Sequence, residues 1–351
     1  MRLPSSPTYS PLFWPLRFAD TKENTASSTP LFPPIGPALI VHTDYFVLSQ
    51  WNGPECTFHV SELGPAKGLL IAGAVGEVVK LIVTSSEDPA SMNIRARLIE
   101  RTRWSETGLF EGHEAMTRDD FLMVQVDRIH LDEDMIDERV SRALGCVVDV
   151  VVFASRHRSE SKRPTLTVHP IGNFSSADLG GRPGTLCKTS PQLMTSALRA
   201  LATNGKGLGF NISFETTHHG PFVDSPAFYI EIGSYEELWG REDAAEAIAE
   251  SILSIKDEGH PVIVSVGGGH YAPRFTEVAL SKKVAIGHMA ANYALEALKP
   301  DMIEQMANKS NGAKKVYFHK KGMPKPAYRE LQERFASCGL EEISSDDLEA
   351  L

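Results

Sequence analysis

Residues 211–234 read NISFETTHHGPFVDSPAFYIEIGS, and the other elements of the chain can be placed around them. Two short apolar runs, 212–214 and 228–232, flank a segment rich in turn-forming residues. Both runs contain β-branched or aromatic residues and are bounded by Gly, Pro, Ser or Asp, a pattern typical of strands. Between them lie three polar side chains suited to chemistry, Glu215, His218 and His219. The sequence therefore predicts a strand, a polar turn and a second strand.

Strand-like and helix-like segments alternate through residues 79–351. Strands are also predicted at 79–84, 147–153, 262–266, 284–286 and 316–319. Helices are predicted at 191–203, 235–255, 290–298 and 326–338. This alternation indicates an α/β domain with a mostly parallel or mixed central sheet and helices on both faces. Because loops at the carboxyl ends of neighbouring strands meet in one crevice, we expect the functional site there.

The composition is that of an ordinary globular protein. Apolar residues make up 42% and charged residues 23% of the 351 positions. No apolar run approaches the roughly 18 residues that a membrane span needs. The four cysteines are scattered and form no metal knuckle or disulfide framework, which fits a reducing compartment. We therefore expect a cytoplasmic protein without membrane association, and a monomer. The net charge of −10 excludes a general basic coat for nucleic acid.

Residues 1–78 differ from the remainder of the chain. The first 37 are rich in Pro and Ser and are expected to be largely irregular. No acidic residue precedes Asp20, whereas Arg2 and Arg17 are basic, which is compatible with an organelle-targeting segment. A disordered extension or a wrongly assigned start explains the same composition. We therefore divide the chain into an N-terminal extension, 1–78, and a catalytic domain, 79–351.

Histidines occur where the predicted strands end. Six of the 12 histidines in the chain are in such positions: His157, His169, His218, His219, His270 and His288. A single histidine of this kind is usually a structural side chain bonded to the backbone. Six at strand ends favour a shared site, because imidazole both binds zinc and transfers protons near neutral pH. The spacing does not decide between these uses, since no HExxH motif is present.

A glycine run follows the predicted strand 262–266. Gly267, Gly268 and Gly269 offer backbone N–H groups that can approach an anion or a developing oxyanion. The run matches neither the nucleotide P-loop nor the GxGxxG pattern. A tight turn from strand to helix is the alternative interpretation.

Basic residues are concentrated in two places despite the acidic total. Arg156, Arg158, Lys162 and Arg163 follow the strand 147–153, and residues 309–329 contain Lys320 and Lys321 but no acid. A charge run is often only a solvated face. Because one of these patches adjoins the proposed site, it also suits a substrate with phosphodiester groups.

Seven segments together resemble the archaeal- and plant-type D-aminoacyl-tRNA deacylases. In chain order they are VTSSEDPASMNI (83–94), SRHR (155–158), LTVHPIGN (166–173), ETTHHGPF (215–222), FYIEIGS (228–234), GGGHYAP (267–273) and GHMAANY (287–293). The similarity spans roughly residues 80–340, and only segments 175–191 and 222–226 depart from it. It implies a phosphorylase- or peptidyl-tRNA-hydrolase-like fold.

The resemblance also implies a reaction and a cofactor. The expected reaction is hydrolysis of the ester between a D-amino acid and tRNA, including aldehyde-modified forms, in chiral proofreading of translation. The expected cofactor is Zn²⁺. We assign catalysis to Glu215, His218, His219 and His270. We assign zinc binding to His157, His169, His218 and His288. We assign binding of the tRNA acceptor end to Arg156, Arg158, Gly267, Gly268, Gly269, Lys320 and Lys321.

Two other function classes fit the residues alone. One is a zinc- or histidine-dependent hydrolase or phosphorylase that acts on a free small molecule such as a nucleoside or peptide. It needs no basic surface outside its pocket. The other is a non-catalytic module that binds RNA or protein, for which the histidines would be dispensable.

Overall fold

The computed structural model describes residues 78–351 in full and, before them, the backbone of three strands. These are β1 (Leu39–His42), β2 (Tyr45–Asn52) and β3 (Glu55–Glu62), which form an antiparallel sheet in the order β1-β2-β3. The chain divides into two compact units, Met1–Ile71 and Ala72–Leu351. The irregular structure and targeting role predicted for residues 1–37 lie outside the described residues.

Residues 78–351, the described part of the second unit, contain fourteen strands that belong to three sheets. They are β4 (Val78–Ser85), β5 (Ser105–Phe110), β6 (His113–Arg118), β7 (Phe121–Val126), β8 (Val147–Arg156), β9 (Thr165–Pro170), β10 (Gly172–Asn173), β11 (Thr185–Leu186), β12 (Asn211–Phe214), β13 (Ala227–Gly233), β14 (Val262–Val266), β15 (Ala285–Ala290), β16 (Lys315–Phe318) and β17 (Glu341–Ile343). The helices are α1 (Pro89–Arg101), α2 (Ile136–Leu144), α3 (Pro191–Asn204), α4 (Glu236–Trp239), α5 (Glu242–Leu253), α6 (Pro273–Ser281), α7 (Pro300–Asn308) and α8 (Lys325–Ser337).

The larger sheet has eight strands in the order β12-β9-β13-β8-β4-β7-β6-β5. Strands β13, β8, β4 and β7 are parallel to one another, whereas β9 pairs with β13 antiparallel. The smaller sheet, β15-β14-β16-β17, is entirely parallel. A short antiparallel pair, β10-β11, makes up the third sheet. The prediction of a mixed α/β fold is therefore confirmed, although the strands are divided between sheets.

Helices cover both faces of the larger sheet, which agrees with the burial of successive residues in its central strands, since these point to opposite faces. Ile82 of β4 packs in a core that includes Ile94 of α1 and Ile248 of α5. Its neighbours along the strand point the other way, so Leu81 packs with Val140 of α2. The smaller sheet likewise contributes to two cores on its two faces. No helix within residues 78–351 is both long enough and apolar enough to cross a bilayer.

Two predicted helices differ from the observed elements. The helix predicted at 235–255 is broken between α4 and α5, and Asn93 Nδ2 donates hydrogen bonds to the carbonyls of Trp239 and Arg241 at the break. The helix predicted at 290–298 is instead the end of β15 followed by a 3₁₀ turn, Asn292–Ala297. Pro300, expected to end that helix, begins α7, because proline is well suited to the first turn of a helix.

Candidate active site

The register of β13 brings the site together. Glu231 is paired with Ser155 of β8 and with Thr167 of β9, and Tyr229 is paired with His169. Paired residues on neighbouring strands point to the same face, so these side chains share one face of the sheet. The sequence predicts the site at a common carboxyl edge of the strands. That expectation is wrong for β9 and β12, because both strands run opposite to β8 and β13.

A loop of the smaller sheet completes the site. After β14, the backbone at His270 and Tyr271 lies against the segment that follows β12. Thr216 N donates to the His270 carbonyl at 2.9 Å, and Glu215 and Tyr271 form an isolated antiparallel bridge. This connection places His270 from one sheet beside Glu215 from the other.

Glu215 is the carboxylate at the centre of this cluster. Its Oε2 lies 2.9 Å from Nε2 of His270 and 3.5 Å from Nε2 of His218, and its Oε1 lies 3.3 Å from Nδ1 of His157. The side chain is fully buried, and within the described residues neither oxygen accepts a hydrogen bond of normal geometry. A buried carboxylate is costly without partners, so the surrounding histidines are what allow Glu215 to be ionised at this position.

A second buried carboxylate, Glu231, was missed by the sequence analysis. Its Oε2 lies 3.5 Å from His157 Nδ1 and 3.6 Å from His169 Nε2, and the residue is 3% exposed. The available signal was a glutamate between Ile230 and Ile232 in an apolar strand, because glutamate is rarely buried unless it is paired.

His157 is held in its charged form by these two carboxylates. Burial alone would lower its pKa, but the hydrogen bond to Glu231 and the charges of Glu215 and Glu231 outweigh burial and raise the pKa to about 10. The same pairing lowers the pKa of both carboxylates against the effect of burial. The other ring nitrogen, Nε2, lies 2.9 Å from the Tyr271 hydroxyl. Ligand atoms of His157, Glu215 and His270 also lie within 4.8 Å of one another, so the assignment of His157 as a zinc ligand stays a prediction.

Three other imidazoles present lone pairs to a common point. Nδ1 of His169, His218 and His219 lies 3.2, 2.7 and 2.6 Å from the carbonyl oxygens of Pro170, Thr216 and Gly220, respectively. A carbonyl only accepts hydrogen bonds, so Nδ1 carries a proton in each ring, and Nε2 is the nitrogen that can bind a metal when the ring is neutral. Candidate ligand atoms of the three rings lie within 4.8 Å of one another. Burial and then neighbouring imidazoles lower the pKa of His218 well below its usual value and that of His219 to about 4.

His288 does not join this group. It lies within β15 and not after it, because the strand continues to Ala290. Its Nε2 lies 2.9 Å from the Cys187 carbonyl and its Nδ1 lies 3.1 Å from the Thr217 hydroxyl, so both nitrogens are engaged. Burial lowers its pKa to about 4. The prediction of His288 as a zinc ligand is therefore replaced by a structural role in holding the segment next to His218.

The backbone of the glycine run forms a tight turn, and most of its N–H groups are not available to an oxyanion. Gly267 N donates to the Ala290 carbonyl at 2.8 Å, and Gly268 N donates to Asn292 Oδ1 at 3.2 Å. A Cβ at Gly267 would lie 2.5 Å from the Met323 side chain, and its φ of 108° also disfavours other residues. Two of the three predicted N–H donors are thus used within the fold, and Gly269 is exposed.

Basic residues reach the site from two sides. The guanidinium groups of Arg156 and Arg158 each lie 5.2 Å from the ring centre of Trp239. On the other side, Asn292 connects the 3₁₀ turn Lys320–Gly322 to the glycine run, since its Nδ2 donates to the Gly322 carbonyl at 2.6 Å and its Oδ1 accepts from Gly268 N. Lys320 is paired with Glu342, whereas Lys321 is exposed.

Two cavities open from the histidine cluster, and His219 lines both. The larger, about 550 Å³, is lined by residues that include Phe174, His218, Tyr293 and Lys299. The smaller, about 90 Å³, is lined mainly by buried polar groups. They are Asp88, His130, Ser155, Arg156, Tyr229 and Glu231. The cluster therefore lies between a ligand-sized cleft and a small polar recess.

Comparisons with known proteins point to one family. A family model described as D-aminoacyl-tRNA deacylase matches residues 144–343. The D-aminoacyl-tRNA deacylase of Methanosarcina mazei is 36% identical over 76% of this chain and 92% of its own length. That of Pyrococcus furiosus is 35% identical over 76% and 99%. That of Methanococcoides burtonii is 36% identical over 77% of this chain, which spans 57% of the relative's length. The crystal structure of AF0625, a conserved protein of unknown function, matches with a TM-score of 0.72 and 32% identity, covering 78% of this chain and 99% of that one.

Proposed function

Because the chain belongs to the D-aminoacyl-tRNA deacylase family and is a hydrolase of the aminoacyl-tRNA ester, we propose that the cluster around Glu215 is its hydrolytic centre. The resemblance found in the sequence is thereby confirmed, and hydrolysis of a free small molecule is not favoured. The observation that carries the site assignment is the convergence of three imidazoles and a buried carboxylate beside a cleft of about 550 Å³.

The residues present fit a zinc ion. His169, His218 and His219 supply three nitrogen ligands with fixed tautomers, the donor set of many catalytic zinc sites. His169 Nε2 is buried and accepts no hydrogen bond in the described part of the chain, as expected for an atom reserved for a ligand. When bound, zinc supplies Lewis acidity, which polarises a carbonyl and lowers the pKa of a water molecule. This set keeps His169 and His218 from the sequence prediction and adds His219.

Glu215 is the group placed to move the proton of the attacking water. Burial alone would raise the pKa of Glu215, but the hydrogen bond to His270 and the charge of His157 outweigh burial and lower it. Glu215 is therefore ionised at neutral pH. It can therefore accept the proton as the water oxygen adds to the ester carbonyl. His270, 2.9 Å away and one-third exposed, can pass that proton to the ribose oxygen as the ester bond breaks. The products are the free D-amino acid and tRNA, and the protons balance.

His157 and Glu231 position this acid–base pair. His157 lies 3.3 Å from Glu215 through Nδ1, and its other nitrogen contacts the Tyr271 hydroxyl. A buried cation at this point keeps Glu215 charged in a site that would otherwise favour the neutral acid. Glu231 balances that cation and also lies near His169.

Docking of the tRNA acceptor end is assigned to Arg158 and Lys321. Both are exposed, and they flank the site from β8 and from the turn after β16. Lys314 and Lys315, in the same basic region, lie at the other end of β16, about 10 Å along the strand. They are therefore poorly placed to reach the same phosphates.

The double variant Arg158→Ala/Lys321→Ala is expected to bind tRNA more weakly and with a shallower salt dependence. Each lost contact to single-stranded phosphate should reduce the slope of log K against log salt by about 0.7. Filter binding between 50 and 200 mM salt measures this slope, and Lys314→Ala is the matched control that should leave it unchanged. An unaltered slope in the double variant, or an equal loss in the control, contradicts this docking surface.

A further inference from the structure

The larger cavity has an aromatic side chain at its mouth that the hydrolytic mechanism does not use. Tyr293 is 64% exposed and is the one aromatic among the exposed large apolar side chains of residues 78–351. It also lines the cavity that His218 and His219 border. Single exposed apolar side chains are common on protein surfaces, but this one also lines a cavity beside the histidine cluster, where an aromatic ring is a suitable contact for a ligand.

The side chain is anchored at its hydroxyl although the residue is exposed. Its hydroxyl lies 3.1 Å from the hydroxyl of Thr216, the residue after Glu215. The ring of Tyr293 is thus anchored to the segment that carries the proposed base. A stacking surface held in this way loses little conformational entropy when a ligand binds.

We propose that this cavity receives the 3′-terminal nucleoside of the tRNA, with its base stacked on Tyr293. The inference rests on the proposed function of the adjoining cluster. Stacking on an aromatic face accepts any base and is a common means of holding single-stranded nucleic acid. The terminal nucleoside carries the ester on its ribose, so a base at Tyr293 places the ester towards His218 and His219.

Cavity size supports this assignment. About 550 Å³ is within the range of sites for drug-sized ligands, whereas about 90 Å³ has room for only a few atoms. Of the two cavities that border the histidine cluster, only the larger therefore has room for a nucleoside.

The charges at the rim agree with a nucleoside. Glu296 and Lys299 at the rim are both exposed, and their opposite charges cancel. The rim therefore has no net positive charge with which to bind a phosphate. Ser175 and Ser176 add exposed hydroxyls. An aromatic face, polar rim groups and near-neutral charge suit a base and a ribose better than an inorganic anion.

The test compares two esters of D-tyrosine, one with 3′-adenosine and one with methanol. For each protein, the ratio of kcat/KM for the adenosyl ester to that for the methyl ester isolates recognition of the nucleoside. We expect Tyr293→Ala to lower this ratio about 5- to 150-fold, the range for loss of one base-stacking contact. Tyr293→Phe, which keeps the ring, should remain within about threefold. Leu109→Ala, an exposed site on β5, is the control that should leave the ratio unchanged.

Calorimetry of free adenosine binding to the same proteins distinguishes failure of the nucleoside subsite from failure of the hydrolytic centre. Adenosine binding that is lost in Tyr293→Ala and kept in Tyr293→Phe supports the subsite even if no ester is cleaved, in which case the proposed hydrolytic centre fails. An unchanged ratio, or equal adenosine binding by the native chain and Tyr293→Ala, overturns the inference while leaving the hydrolytic centre standing.

Discussion

Glu215→Gln should lower kcat for D-tyrosyl-tRNA by about 10²- to 10⁴-fold, the usual contribution of a positioned acid–base group. The amide keeps the size of the carboxylate but cannot accept a proton. It also removes the charge that faces His157, His218 and His270 at 3.3, 3.5 and 2.9 Å. Single-turnover measurements of ester cleavage isolate this step from product release.

The control for Glu215→Gln is a buried carboxylate outside the cluster. Asp137 is 2% exposed and accepts hydrogen bonds from the backbone N–H groups of Asp224 and Ser225. Asp137→Asn should therefore reduce thermal stability while leaving the cleavage rate within about threefold, since lost buried hydrogen bonds cost stability. Equal rates for native protein and a folded Glu215→Gln variant would rule out Glu215 as the base.

Alanine at His169, His218 or His219 should weaken zinc binding by at least about 100-fold. Each substitution removes a proposed ligand, and even the loss of an outer hydrogen-bond partner costs 10- to 100-fold in affinity. Zinc content after reloading and dialysis, together with competition against a chromophoric chelator, measures the effect directly. Circular dichroism on the same samples establishes that the variants remain folded.

Two further variants make the zinc assignment specific. His113→Ala removes a partly exposed histidine on β6 that lies beside Asp127, and it should leave the zinc content unchanged. His288→Asn should also retain one zinc per chain, because both ring nitrogens of His288 are engaged by Cys187 and Thr217. Loss of zinc from His288→Asn with full retention in His219→Ala would contradict the three-histidine site.

Local sequence patterns were sufficient to predict many elements. The run VVDVVVF predicted β8, and the spacing after Pro191 predicted α3, because both patterns are set by neighbours in the chain. The start of α1 obeys rules of the same local kind, since Asp88 caps the helix and Pro89 occupies its first turn. The mixed α/β class then followed from the order of the elements.

The geometry of the site depends on contacts that the sequence does not display. That β9 runs antiparallel to β13 is decided by long-range pairing, and this pairing sets His169 beside Glu231. For the same reason, the end of β15 could not be located. Ile286 marks the end of the apolar run, but pairing with β14 extends the strand past His288 to Ala290. The histidines could therefore be predicted as a group, whereas their division into ligand, cation and structural support required the fold.

D-specific hydrolysis is tested directly by the initial rates at which the full chain deacylates D-tyrosyl-tRNA and L-tyrosyl-tRNA under identical conditions. Family membership and the cluster at Glu215 together predict rapid release of tyrosine from the D form and release from the L form no faster than without protein. Hydrolysis of both forms at the same rate, or of neither, would contradict the proposed D-specific hydrolysis.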